Sequence, residues 1–392
     1  MRGAAAANNT ATRKNGKPMI YLDYTASTPV TADVEEIYIK ALRECYANPS
    51  ALHSAGVAAS KRLAEARELL AKSVGCSPEE IYFTSGGSES NNAAIFGAAR
   101  ALKRRGSHLV SSLAEHDSVK APLRALEKEG FEVTFVAPER DGSTDIAKIR
   151  AAVRPETVLV SLASVNNETG AVNDIPALRA ALSGTSALLH SDCVQLIGKA
   201  RHTQTVRAAD LVSLCSHKLF APKGSGALII RGHARPEPLI LGGGQERGMR
   251  SGTENLPAII AFAAAAARLV SAMPETLPKV AALNARLREG LSALGGVEFI
   301  SGDNAVPHIL SFAVVGIPSE TLVNFLSGEG ICISAGSACK KGRKSEALAA
   351  TGLPDGVLNS AVRVSLSFLT TEREVDALIK AVAEAQKRIM HK

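Results

Sequence analysis

A lysine preceded by a histidine, Ser216-His217-Lys218, stands between two short apolar runs, Leu211 to Leu214 and Ala227 to Ile230, with Pro222 and Gly224 in the gap. The pattern reads as strand, polar break, strand. It can put Lys218 where two strands end, inside the molecule. An amine held there loses hydration, its ammonium form is disfavoured, and it becomes a usable nucleophile or base. Upstream, Phe83-Thr84-Ser85-Gly86-Gly87-Ser88-Glu89-Ser90-Asn91 reads as strand, glycine turn and helix start. Bare N–H groups and the positive end of a helix dipole make a cradle there for an anion such as phosphate. Gly-Lys-Ser/Thr does not follow, so this is not a Walker A loop. Leu188-Leu189-His190-Ser191-Asp192 places an acid at the end of an apolar strand, where a carboxylate is costly unless paired. A protonated pyridine nitrogen would pair it, which is the tuning that makes pyridoxal phosphate an electron sink. Alone, the Asp equally suits a cap on the next turn, and the His-Lys pair a surface hairpin. Phosphate cradle, strand-end Asp, then Lys is the order expected of a pyridoxal-phosphate site.

The elements that must position these residues alternate. Strands are expected at Glu80 to Thr84, His108 to Ser112, Glu132 to Val136, Val158 to Ala163, Ala187 to Asp192, Leu211 to Leu214 and Ala227 to Ile230, with helical patterns between most of them. That predicts an α/β domain on a mainly parallel, seven-stranded buried sheet. The texture changes after Pro257. Helices are expected over Ala258 to Ala272 and through Val280, Leu283, Leu287, Leu291 and Leu294. Strands follow at Val297 to Ile300, Ile309 to Val314 and Val362 to Leu366, and a capping box of Thr371 with Glu374 opens a last helix. The organisation expected is a disordered tail over 1–18, a large domain over 19–257 and a smaller α+β domain over 258–392. Residues before about position 30 could join the smaller one.

Bulk properties exclude several classes. The net charge of +7 comes from scattered basic residues, aromatics make up 4% and Trp is absent, which argues against a base-stacking nucleic-acid surface. No apolar run approaches the ~20 residues of a membrane span, Ala258 to Val270 coming closest. Cys45, Cys76, Cys193, Cys215, Cys332 and Cys339 form no C-x-x-C pair, so neither a metal site nor a disulfide framework is expected. A reducing compartment follows. Met1 to Pro18 is basic without a signal-peptide core, so the location is cytoplasmic, or an organelle such as the mitochondrion if that tail is a presequence.

The chain resembles the cysteine desulfurases of the aminotransferase class V group, and is also similar to the related selenocysteine lyases. Thr84-Ser85-Gly86-Gly87-Ser88-Glu89-Ser90, Glu115-His116, Val165-Asn166-Asn167-Glu168-Thr169-Gly170, Asp192 with Gln195 and Ser216-His217-Lys218 carry the resemblance. So do Gly242 through Thr253, Ser334-Ala335-Gly336-Ser337-Ala338-Cys339 and Val362-Arg363-Val364-Ser365. It implies a fold-type I pyridoxal-phosphate transferase and a homodimer. Lys218 would hold the cofactor as a Schiff base and shuttle the Cα proton. His116 would stack on the ring, Asp192 keep its nitrogen protonated, and Gln195 hydrogen-bond the phenolic oxygen with Asn167 beside it. Gly87, Ser88 and His217 would bind phosphate, with Thr253 from a neighbouring subunit; Ser216 would also contact the cofactor, as would Cys215, which stands where the family usually has Ser or Thr and would leave one phosphate hydrogen bond weaker. Arg363 would clamp the substrate carboxylate, with Asn48 nearby and Asn167 helping to orient the substrate.

Cys339 is flanked by Ala335, Gly336, Ser337 and Ala338 before and Lys340-Lys341-Gly342-Arg343-Lys344 after. Small residues and charges cannot anchor a core, so a mobile loop is expected, and the cations favour the thiolate. The implied reaction converts L-cysteine to L-alanine with a persulfide on Cys339, the sulfur passing to an acceptor protein for iron–sulfur cluster assembly or thiolation. The alternative is a selenocysteine lyase acting on L-selenocysteine. A different class V aminotransferase, needing no Cys339, or an inactive binding paralogue rank below these.

Overall fold

The computed structural model describes residues 19–336 and 345–390. The expected tail over 1–18 and Cys339 lie outside the described residues. The seven-stranded sheet runs, edge to edge, Ile81–Thr84, Gly226–Ile230, Leu211–Cys215, Leu188–Asp192, Thr157–Ser161, His108–Ser112 and Glu132–Val136. All pairings are parallel except those made by Gly226–Ile230, which is antiparallel to both neighbours. Strands such as Leu211–Cys215 and Thr157–Ser161 are buried at every position, which is why they read as continuous apolar or small-residue runs rather than as alternation. A parallel strand needs a crossover, and helices such as Gly87–Leu102 and Asp117–Glu127 supply them.

A second sheet has the order Ser334–Ala335, Ala361–Ser365, Ile309–Val314, Val297–Phe299, all antiparallel. The stretch from Ile20 docks beside it: Ile20–Tyr21 pairs in parallel with Ile331–Cys332 as a separate two-stranded sheet, Asp23 bridges Ser365, and Leu22 is buried in the core that the second sheet shares with the helix Glu372–Met390. The capping box that opens this helix is formed, Glu374 accepting from the Thr371 N–H at 2.8 Å.

The expectation of separate helices before and after Pro274 is corrected. One helix, Leu256–Ser292, runs through Pro274 and Pro278. Each proline removes one backbone donor, but the apolar stripe continues on both sides and burial outweighs the loss. Ile259, Phe262 and Ala266 pack in the core of the large sheet, and Val280, Leu283, Leu287 and Leu291 in the second core. By length and composition this helix could cross a membrane. Its buried residues are instead divided between the two cores.

Candidate active site

The predicted residues collect at the carboxyl ends of strands in the large sheet. The turn after Ile81–Thr84 leads into Gly87–Leu102 through Gly86, whose φ of 156° disfavours any side chain. A Cβ on Gly87 would come within 2.8 Å of Val194 Cγ2, and one on Gly226 within 2.6 Å of the Gly86 Cα. Only bare backbone lets the strand, the turn and the helix start meet this closely. The Gly87 and His217 N–H groups point at the Cys215 sulfur, and burial pushes that thiol's pKa up. Ser88 is exposed at the same helix start.

Asp192 ends its strand 8% exposed. Oδ1 accepts from the Val194 N–H at 2.9 Å and Oδ2 from Asn91 Nδ2 at 2.8 Å. The other Asn91 N–H goes to Ser118 Oγ at 2.8 Å, and Ser118 lies 2.8 Å from His116 Nδ1. His116 caps the helix Asp117–Glu127, Nδ1 accepting from the Ser118 N–H. An accepting Nδ1 puts the proton of the neutral ring on Nε2. The ring keeps contact with solvent, yet surrounding protein lowers its pKa by desolvation, with Asp192 opposing. Asn91 Oδ1 is buried with no partner among the described residues.

Lys218 closes a single turn after the strand Leu211–Cys215. Burial lowers its amine to about 8, with Arg363 adding to the effect. The nitrogen donates to the carbonyl oxygens of Thr25 and Ala26, each at 2.6 Å. Phe220, just beyond, has a φ of 60°, a strained value for an aromatic residue. Its N–H bonds Thr28 Oγ1 at 2.8 Å, and its ring packs on Phe368 at 4.8 Å and Tyr24 at 5.9 Å, which hold the turn. His217 lies 3.2 Å from Ser27 Oγ, and burial lowers its ring to about 4, so it is neutral. The Ser216 hydroxyl is fully buried and donates to the Pro222 and Ser225 carbonyls, so it braces the loop. Gln195, 5% exposed, donates from Nε2 to Thr25 O at 3.1 Å and accepts from Lys199.

Arg363 reaches the same region from the second sheet. Nη1 donates to Asn167 O at 3.0 Å; Nη2 donates to Asp23 Oδ1 at 3.1 Å and Ser334 Oγ at 3.0 Å. Asn166 folds the Asn167 loop by accepting from the N–H groups of Glu168 and Thr169. The segment holding Cys339 is flanked by residues tied to these walls. Gly336 donates to Ala361 O at 2.8 Å, Ser345 to Glu168 at 2.6 Å, and Glu346 pairs with Lys120 at 3.2 Å.

Two expected residues are not joined to this cluster. Asn48 is exposed and caps its own turn, accepting from the Ser50 N–H. Thr253 is exposed beyond the Gly242–Gly252 loop. That loop is fixed by Glu246, which accepts from both Arg67 nitrogens and the Phe83 N–H. Asp23, Thr25, Asn91 and Lys199 were not singled out for roles from sequence. Asp23 lies within the Tyr21-Leu22-Asp23-Tyr24 stretch, and an acid beside apolar residues was the available signal.

A desolvated amine, a strand-end carboxylate and a bare helix start on a mainly parallel sheet define an α/β enzyme of the aminotransferase type. The Aminotransferase class-V family profile matches residues 20–378. Cysteine desulfurase IscS of Anaeromyxobacter sp. (strain Fw109-5) is 39% identical over 379 residues, covering 94% of this chain and 93% of the relative. The solved structure of a NIFS-like protein superposes with a TM-score of 0.89 at 34% identity over 94% of this chain and 99% of the other. SspA, solved in complex with cysteine, gives 0.78 at 33% identity over 89% and 99%. The chain belongs to the aminotransferase class-V family, within its cysteine desulfurases, enzymes that work with pyridoxal phosphate.

Proposed function

We propose that this protein binds pyridoxal phosphate at Lys218 and converts L-cysteine to L-alanine, leaving a persulfide on Cys339 for transfer to an acceptor protein. The observation that carries the reading is the Lys218 amine. It is held at about 8 by burial, between the Asp192 strand end and the Arg363 guanidinium. The residues present fit the cofactor: an amine for the aldehyde, a carboxylate for the ring nitrogen, and a backbone cradle at Gly87 that admits no side chain. Bound there, the cofactor supplies an electron sink that acidifies the substrate Cα–H.

The chain's own groups do the rest. Asp192, steadied by Asn91 and Val194, holds the proton on the ring nitrogen. His116 would lie against the ring and move protons, its contact with Ser118, itself bonded by Asn91, fixing which nitrogen carries the hydrogen. Gln195 donates to the phenolic oxygen and Asn167 flanks it. Gly87, Ser88, Cys215 and His217 take the phosphate, with Thr253 of a second copy. Lys218 takes and returns the Cα proton. Arg363 grips the substrate carboxylate in its planar fork. The Cys339 thiolate attacks the substrate sulfur. An S–S bond forms, the C–S bond breaks with its electron pair left on carbon, and carbon takes up a proton to give alanine. Ser334 and Ser345, on either side of the Cys339 segment, are tied to the Arg363 and Glu168 walls, which supports its reach into the site.

A homodimer is supported by apolar side chains left in the open near these elements: Tyr46 at 81%, Leu52 at 97% and Leu241 at 79% exposure. Bacterial relatives named cysteine desulfurase IscS support a cytoplasmic role in iron–sulfur cluster assembly. The test is incubation of the purified protein with pyridoxal phosphate and L-cysteine. A visible absorbance band, alanine formation, and loss of both in Lys218→Ala are expected. A protein that stays colourless, or forms no alanine, overturns the reading.

A further inference from the structure

Lys199 is 8% exposed, on the turns that follow the strand Leu188–Asp192. Successive bonds from Leu196 N to Cys193 O and from Lys199 N to Leu196 O bring its side chain back over Gln195. Its surroundings do not favour an amine. Lys218 and Arg363 are neighbouring cations, His308 lies close by and is buried and neutral, and the Cys215 thiol is nearby. Burial and the two cations together lower Lys199 to about 7. Among the described residues no carboxylate is bonded to it; its hydrogen bond goes to Gln195 Oε1. Burying an amine beside like charges is costly, and an apolar side chain would fill the same space at lower cost.

What the amine does is settle which way the Gln195 amide faces. The charged amine has hydrogens and no lone pair, so the amide oxygen turns toward it, and the Thr25 carbonyl, which can only accept, requires the amide nitrogen on its side in either charge state of the lysine. Nε2 then faces Thr25 O, 3.1 Å away, the carbonyl that also accepts from Lys218. The flipped amide would set acceptor against acceptor at Thr25 and, with the amine charged, donor against donor at Lys199. An amide nitrogen carries two hydrogens, and the second has no partner among the described residues.

We propose that Lys199 is a positioning residue that locks the Gln195 amide with its nitrogen toward Lys218, so that the unspent hydrogen is donated to the phenolic oxygen of the cofactor. The proposal rests on the pyridoxal-phosphate reading of the site. Donation to that oxygen favours its ionised form and sets the pH at which the holoenzyme's absorbance band titrates.

The experiment is a pH titration of that band in holoenzyme carrying Lys199→Met, Lys199→Gln, Gln195→Ala and Gln195→Ala combined with Lys199→Met. Lys199→Met and Gln195→Ala are expected to raise the midpoint, each by about one unit. Lys199→Gln, neutral but still a donor, keeps the midpoint near wild type. The double variant shifts no further than Gln195→Ala alone. If the lysine acts only by its charge, Lys199→Gln shifts as much as Lys199→Met and the shift persists in the Gln195→Ala background, which overturns the proposal. Should Lys199→Met fail to fold, Lys199→Gln still separates donor from charge. A wild-type protein that develops no band removes the cofactor reading itself. A wild-type band with an unmoved midpoint in Lys199→Met removes only the role of Lys199.

Discussion

The guanidinium of Arg363 lies 3.1 Å from Asp23 Oδ1, a pairing that spans 340 positions of sequence. Asp23 and Ser334 hold one nitrogen of the fork and Asn167 O the other, so the group is placed before any substrate arrives. Arg363→Lys keeps the charge and loses the planar fork. A charge-assisted hydrogen bond contributes about 1.5–3 kcal/mol, so KM for cysteine should rise about tenfold or more with a smaller change in kcat. Steady-state kinetics measure this; an unmoved KM would remove the carboxylate clamp.

Cys339→Ala should retain the cofactor's absorbance band and lose alanine formation. Mass spectrometry of wild type quenched during turnover should show one added sulfur on Cys339 and none in the variant. Retained alanine production in the variant would point to a mechanism without a persulfide.

The amine of Lys218 has its pKa lowered from 10.5 to about 8 by burial. Only the neutral amine attacks an aldehyde, so uptake of pyridoxal phosphate by apo-protein should quicken with rising pH and level off above about pH 8. In the window between the folded value and 10.5 the unfolded chain binds more protons. Stability contributed by this group therefore rises with pH across that window, and its full cost is felt below about pH 8. Stopped-flow absorbance reads the rate. A rate still climbing without a break at about pH 10 contradicts the lowered value.

Arg67 and Glu246 form a buried pair with side chains 12% and 1% exposed, and the Arg67 guanidinium sits 4.7 Å over the Phe83 ring. Arg67→Ala leaves the buried Glu246 carboxyl without its guanidinium, keeping only the Phe83 N–H. Breaking a pair of this kind costs about 3–5 kcal/mol. Thermal unfolding should show a clear drop in Tm, and cofactor affinity should fall because the same loop leads to Thr253. Wild-type stability in the variant would show that Glu246 finds water or another donor.

Much of this was readable where chemistry depends on neighbours in sequence. Lys218, Asp192 and the Gly86–Gly87 turn each sit at a strand end marked by an apolar run and a breaker, so their placement follows from local patterning. The Thr371–Glu374 box is equally local. The links between those parts were not readable. Asn91 looks like any polar residue on a helix, yet it joins Asp192 to Ser118 because the helix crosses the sheet at that point. Pro274 looks like a stop, and only packing against two cores carries the helix through it. Ser216 belongs to a motif that suggests a ligand, and the turn's own carbonyls claim its hydroxyl.

The stretch from Ile20 to Thr28 pairs with Ile331, bonds Ser365 through Thr25 N, and gives Lys218 and Gln195 their carbonyl acceptor. It is made early in synthesis, and its partners Ile331 and Ser365 emerge much later. Domains fold as they leave the ribosome, so the large sheet can form while this strip has nowhere to dock. Pairings this distant are slow to close. Assembly of the pocket is therefore a terminal event in biogenesis, and a nascent chain carries the lysine and its arm before the arm has anything to dock on.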